Sequence, residues 1–194
     1  MITSTAILLT VTALTFGLSL FVYFTNPSRW VNRAFGMFSI SVAGWTTGIS
    51  LATSFAEAGS GLFWARMTFA MADLTVYALL IFFCVFPHAS SLPRSYGVSV
   101  LGVVAALLAV LSVTPWIVVT LRPTTRGLQL VYGPLYPAFA LYILSCIGYS
   151  LWILLRKVQA ARGIERLQLR YLFVGLLVPG VLATVTNLLI PLAF

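Results

Sequence analysis

Charged side chains are scarce in this sequence. Of its 194 residues only 7% are charged, with 3 Asp+Glu, 1 His and 2 Cys, whereas 61% are hydrophobic. Soluble domains carry roughly 25% charged residues, so this chain has too little polar surface to cover a globule in water. The composition excludes an ordinary soluble domain and indicates a protein surrounded by lipid.

The same scarcity limits the chemistry that the chain can perform. The sequence has no G-x-S-x-G, H-E-x-x-H, C-x-x-C or Walker motif, the short patterns that would indicate a nucleophile, a metal or a phosphate site. A single histidine is too few for a bis-histidine haem or a histidine-rich metal site. We therefore expect no catalytic residue, no metal and no cofactor, and we interpret the chain as a non-enzyme.

Long apolar runs, in contrast, are abundant. A membrane-spanning helix needs about 20 mainly apolar residues, and six runs reach that length. They predict an all-α, polytopic transmembrane bundle that forms a single domain over 1–194. The six predicted spans lie near 3–25, 33–54, 62–86, 95–120, 134–156 and 168–194.

Basic residues are distributed unevenly among the links between these spans. Because cytoplasmic loops collect Lys and Arg, the net charge of +8 is explained by topology rather than by nucleic-acid binding. The links after spans one, three and five hold Arg29, Arg33, Arg94, Arg156, Lys157, Arg162, Arg166 and Arg170, and the other links and helix ends hold Arg66, Arg122 and Arg126. The N-terminus is therefore predicted to lie outside, and the cluster from Arg156 to Arg170 to anchor the chain at the inner surface, where it contacts membrane lipid.

Asp73, near the middle of span three, is the polar residue with the clearest functional potential. An acid at this depth costs a few kcal/mol at least, so it is a candidate for a ligand or proton site. The simpler alternative is a neutral carboxyl group that hydrogen-bonds two helices together. Tyr77, one turn further on, is the expected neighbour, and Arg66 is expected to reach the surface rather than pair with Asp73.

Two further features allow either a functional or a packing interpretation. In span six, Pro179 is predicted to kink the helix at Gly175, with Gly180 adding slack, so that these residues form a hinge or simply an irregular helix. In span two, Gly44 and Gly48 form a small-xxx-small pattern that lets helices approach closely. That pattern favours packing within the chain, with self-association as the alternative.

The order of several motifs resembles the N-terminal seven-helix region of bacterial sensor histidine kinases. The segments that carry the resemblance are "NPSRWVNRAFGMFSISVAGW", "FWARMTFAMADLTVYALLIFFCVFP", "YGPLYPAFALYILSCIGYSLWILLRK" and "ERLQLRYLFVGLLVPGVLATVTNLLIP". The matching positions are Asn26, Pro27, Asn32, Arg33, Trp45, Trp64, Arg66, Phe86, Pro87, Gly133, Arg166, Gln168, Arg170, Asn187 and Pro191.

This resemblance implies a non-catalytic sensory input module in the bacterial inner membrane. We expect its cue to be received around Asp73, Tyr77, Trp45 and Asn187. Because the family has a seventh helix followed by an output domain, the chain is either a fragment that lacks them or a module used without a kinase. The alternative function is an accessory or scaffolding subunit of a larger membrane complex, with protein partners in the membrane, that holds lipid or pigment.

Overall fold

The computed structural model describes residues 2–55, 60–87, 95–124 and 127–186. Within these ranges the chain forms six α-helices and one antiparallel β-hairpin, which confirms the predicted all-α bundle. The elements are α1 (Ile2–Thr25), α2 (Trp30–Ser54), α3 (Gly61–Val85), α4 (Tyr96–Ser112), β1 (Val118–Thr124), β2 (Gly127–Tyr132), α5 (Tyr136–Ala160) and α6 (Gly163–Thr184).

Helices dominate because a chain in lipid must satisfy its backbone hydrogen bonds internally. In the described part of the chain, α2, α3, α5 and α6 are each long and apolar enough to cross a membrane. The apolar segment Leu9–Thr25 of α1 and the helix α4 are shorter. The chain is therefore a multi-pass membrane protein by length and composition, and the count of six spans stays a prediction.

The hairpin is the main departure from the predicted elements. Span four was predicted to run to residue 120, but α4 ends at Ser112 and β1 begins at Val118. The physical reason is Pro115, which has no N–H to donate and keeps the preceding residue out of the helical region. The β-branched residues that follow favour a strand, and Thr124 pairs with Gly127 at the end of the hairpin.

The junction between α5 and α6 also differs from the prediction. Span six was predicted to begin near residue 168, but α6 begins at Gly163, and α5 continues to Ala160. The link is therefore reduced to Ala161 and Arg162. Gly163 has a φ of 59°, a left-handed conformation in which a side chain is strained, and this residue lets the chain turn between the two helices.

Contacts between the helices define two ends of the bundle. α2 packs antiparallel to α3, since the rings of Phe35 and Phe82 lie 5.8 Å apart whereas Gly48 faces Thr68. We call the end with the last turns of α3 and α5 the basic end, and the end with β1 and β2 the hairpin end.

Each end has its own core. At the hairpin end the buried residues are Ala105, Leu108, Ile117, Val118, Tyr136, Phe139, Ala140, Tyr142, Ile143 and Cys146. At the basic end they are Ala34, Ile81, Phe82, Phe83, Val85, Val98, Leu154 and Leu169.

Candidate functional site

The Asp73 carboxyl group lies inside the bundle, where α3 packs against α5. Asp73 and Cys146 are both 0% exposed, and Tyr142 is 5% exposed. Tyr142 and Cys146 are one helical turn apart on α5, and this spacing places them on the same face of that helix. The Tyr142 hydroxyl lies beside both the Asp73 carboxyl group and the Cys146 thiol. We call these three residues the polar core.

The polar core is not fully hydrogen-bonded among the described residues. Neither carboxyl oxygen of Asp73 has a partner at hydrogen-bonding distance and angle, and the Tyr142 hydroxyl has none either. A buried polar group left unpaired costs about 1–3 kcal/mol. A carboxyl group and a hydroxyl group that lie side by side with spare capacity can bond each other after a small shift, or can bond a small polar ligand.

Of the other residues predicted to form a pocket with Asp73, neither Tyr77 nor Trp45 hydrogen-bonds its carboxyl group, and the pocket stays a prediction. Tyr77 points to α4, where its hydroxyl donates to the carbonyl of Val98 at 3.4 Å, so it is not the partner of Asp73. Trp45 is half-buried on α2 and makes no hydrogen bond to the Asp73 carboxyl group. Asn187 lies outside the described residues.

Neither Tyr142 nor Cys146 was named from the sequence as a candidate functional residue. A usable signal was present in the helix positions. Asp73 is the thirteenth residue of α3, and Tyr142 and Cys146 are the seventh and eleventh of α5. Parallel helices in one bundle place residues of similar position at similar depth, so Cys146 was a predictable neighbour.

The two glycines of span two lie at the interface between α2 and α3. A Cβ atom added to Gly44 would come within 2.9 Å of the Met71 sulfur. One added to Gly48 would come within 2.5 Å of the Thr68 hydroxyl and 3.2 Å of the Thr68 Cα. The second contact involves the Thr68 backbone, so a side chain at position 48 would force α2 and α3 to shift apart or Thr68 to move. This arrangement is packing within the chain.

Lys157 makes the most specific contact of the basic cluster. Its Nζ donates to the carbonyls of Phe83 at 2.8 Å, Cys84 at 2.8 Å and Phe86 at 2.5 Å. These carbonyls belong to the end of α3, where backbone acceptors have no partner within the helix and where the helix dipole favours a cation. Lys157 therefore caps α3 from α5, and we call this contact the Lys157 cap.

The other four basic residues of the cluster are exposed at the basic end. Arg156 places its guanidinium group 5.3 Å from the centre of the Trp152 ring. Arg162 lies in the two-residue link, and Arg166 and Arg170 lie on α6. The cluster thus contains one cation, Lys157, that caps a helix, and four arginines whose side chains are exposed.

Arg66 has a structural role that the sequence did not indicate. Its Nε donates to the carbonyl of Val118 at 3.0 Å, and its Nη2 donates to that of Val119 at 3.1 Å. Both acceptors belong to β1. Arg66 therefore attaches the hairpin to the first turns of α3, whereas the sequence predicted only that it would reach the surface rather than pair with Asp73.

The predicted hinge residues lie within one helix. α6 is assigned as continuous from Gly163 to Thr184, through Gly175, Pro179 and Gly180. A Cβ atom added to Gly175 or Gly180 would meet no atom within 4 Å. The kink at Gly175 stays a prediction, and these glycines are not required for packing in the described structure.

Two residues that carry the family resemblance, Asn26 and Pro27, lie in the link between α1 and α2, and two more, Asn32 and Arg33, lie at the start of α2. The side chain of Asn32 donates from Nδ2 to the backbone carbonyl of Asn26 at 3.1 Å. Arg33 donates from Nε to the carbonyl of Pro27 at 2.6 Å, and its guanidinium group lies 5.0 Å from the centre of the Trp30 ring. Side chains of α2 thus fix the turn that precedes it.

No group of three or more His, Cys, Asp or Glu side chains that could hold a metal ion occurs within 2–55, 60–87, 95–124 and 127–186. Together, the apolar helices, the buried carboxyl group and the basic end define a multi-pass membrane helix bundle with a polar core.

The family described as the N-terminal 7TM region of histidine kinase matches residues 7–193. The chain belongs to this family, the sensory transmembrane region of histidine kinases, which confirms the resemblance seen in the sequence. No curated protein matches the chain. No solved structure matches it either.

Proposed function

We propose that the chain is a non-catalytic sensory input module in which the polar core receives the cue. The observation that carries this proposal is the Asp73 carboxyl group, which is fully buried and has no formed hydrogen bond among the described residues. An intramembrane acid with unused hydrogen-bonding capacity destabilises the fold, and such residues usually mark a functional site. Family membership supports the sensory role.

The proposed route of the signal follows the contacts of α5. Tyr142 and Cys146 lie on this helix, and fifteen residues after Tyr142 the same helix carries the Lys157 cap. A change at the polar core that moves α5 relative to α3 must therefore strain the cap. The short link and Gly163 then join α5 to α6, and the movement passes along α6 to the predicted hinge at Pro179.

The proposed orientation places the basic end in the cytoplasm and the N-terminus outside, in the bacterial inner membrane. Arg29, Arg33 and the cluster from Arg156 to Arg170 all lie at that end, which supports this orientation by the positive-inside rule. A membrane-impermeant maleimide tests it in a Cys84→Ser background. A cysteine introduced as Arg122→Cys should be labelled in intact cells, and one introduced as Arg162→Cys only after lysis. The reverse pattern would contradict the orientation.

The sensory proposal is tested with a chimaera in which a seventh helix and an active histidine-kinase catalytic region follow residue 194. Asp73→Asn and Tyr142→Phe should each change basal autophosphorylation by about 2- to 30-fold, the range expected when a residue of a coupling network is altered. Tyr77→Phe is the matched control, because it removes a tyrosine hydroxyl from the same bundle but not from the polar core. Equal activity of all three variants and the parent would refute the role of the polar core.

A further inference from the structure

We propose that the cleft between the end of α1 and the start of α2 is a binding site for one acidic phospholipid. The cleft has a volume of about 420 Å³, which lies within the range of about 300–1,000 Å³ that is usual for small-molecule sites. It lies at the basic end and is distinct from the polar core, so this inference does not depend on the sensory role.

The walls of the cleft are apolar and face the membrane. Leu20 and Phe24 line it from α1, and Met37 and Ile40 line it from α2. These side chains are 37%, 70%, 54% and 48% exposed, respectively. A cleft that is open to lipid is filled by a molecule already dissolved in the bilayer, and an acyl chain matches its apolar walls.

Arg33 supplies the charge at one end of the cleft. Its Nε is held by the Pro27 carbonyl, and no described residue accepts a hydrogen bond from its two terminal nitrogens. A guanidinium group oriented in this way can bind a phosphate group through two parallel bonds. The sequence has no Asp or Glu before Glu57, so no acid from the α1–α2 hairpin competes for Arg33.

The depths of these residues fit a lipid aligned with the bilayer. Arg33 lies in the first turn of α2, beside the α1–α2 link. Ile40 lies seven residues further along the same helix, which corresponds to about 10 Å at 1.5 Å per residue. The phosphate would then lie at head-group level and the acyl chain beside Met37 and Ile40. This match of charge and apolar surface to one molecule favours a phospholipid over a packed helix as the occupant.

Native mass spectrometry of the delipidated 194-residue chain, titrated with phosphatidylglycerol or phosphatidylcholine, tests the proposal. The parent should bind one phosphatidylglycerol more tightly than phosphatidylcholine. Arg33→Gln should weaken phosphatidylglycerol binding about five-fold, as expected for one basic residue near an acidic head group. Arg29→Gln is the matched control, because Arg29 is exposed in the same link but does not line the cleft.

A second pair of variants tests the apolar part and leaves the turn intact. Met37→Trp fills the cleft and should reduce binding of phosphatidylglycerol, whereas Leu14→Trp changes an exposed residue of α1 outside the cleft and should not. The proposal is overturned if Arg29→Gln weakens binding as much as Arg33→Gln, or if Met37→Trp leaves binding unchanged. It is also overturned if the parent binds no lipid, binds both lipids equally, or occupies the cleft with a second copy of the chain, seen as a dimer that Met37→Trp abolishes.

Discussion

Replacing Lys157 by methionine should destabilise the bundle at its basic end. The substitution keeps the length and apolar character of the side chain and removes the Nζ that donates to Phe83, Cys84 and Phe86. A hydrogen bond that involves a charged group stabilises by about 1.5–3 kcal/mol. The three bonds share one ammonium group, which is only partly buried, so their contributions are not additive. We expect a total loss of about 2–4 kcal/mol.

This loss can be measured as a shift in the thermal unfolding midpoint. For a chain of this length each kcal/mol corresponds to about 2–4 °C, so Lys157→Met should lower the midpoint by about 4–16 °C. Cys146 is 0% exposed and therefore reports unfolding through a fluorogenic maleimide. The assay is run in a Cys84→Ser background, which keeps the backbone carbonyl of residue 84 and removes its thiol.

Arg156→Met is the matched control, because Arg156 is the neighbouring cation but is exposed and contacts only the Trp152 ring among the described residues. An exposed cation–π contact contributes about 0.5–1 kcal/mol, so its shift should be well below that of Lys157→Met. Equal shifts for the two variants would show that the three carbonyls gain nothing specific from Lys157, and the proposed coupling of α3 to α5 at this point would fail.

Two further changes probe the hairpin and the α5–α6 link. Arg66→Gln removes the charged donor to β1 and should speed amide hydrogen exchange in residues 118–132. Arg122→Gln, a substitution of an exposed residue within β1, is the control and should not speed it. Equal exchange rates in the two variants would contradict the attachment. Gly163→Ala places a side chain at a φ of 59° and should lower the free energy of unfolding by about 1–2 kcal/mol. Gly148→Ala is the control, because a Cβ atom there meets nothing within 4 Å, and it should stabilise α5 by up to about 1 kcal/mol. If Gly163→Ala is as stable as Gly148→Ala, the left-handed turn is not required.

Much of the helical architecture was predictable because apolar runs of span length leave few alternatives in lipid. Span three was predicted at 62–86, and α3 occupies Gly61–Val85. The hairpin was missed because hydropathy does not distinguish an apolar strand from the end of an apolar helix. Pro115 was the signal that α4 had ended.

The polar contacts were less predictable, for a physical reason. Lys157 and Arg66 both donate to backbone carbonyls, and every residue has such an acceptor, so no sequence pattern identifies the partner. The depth of Asp73 could be read from its position in span three. The neighbouring helix that Asp73 faces depends on the rotation of α3 about its axis, which a helix that is apolar on most faces does not specify.

The two side-chain contacts with backbone carbonyls have a joint mechanical consequence for α3. At the hairpin end Arg66 holds α3 to β1, whose partner strand β2 leads into α5, and at the basic end Lys157 holds α3 to the last turn of α5. Because α3 is held at both ends, it cannot slide along its own axis relative to α5 without breaking the hydrogen bonds of Arg66 or of Lys157. Movement in this bundle would then take the form of a joint rotation of α3 and α5, or of a swing of α6 about Gly163.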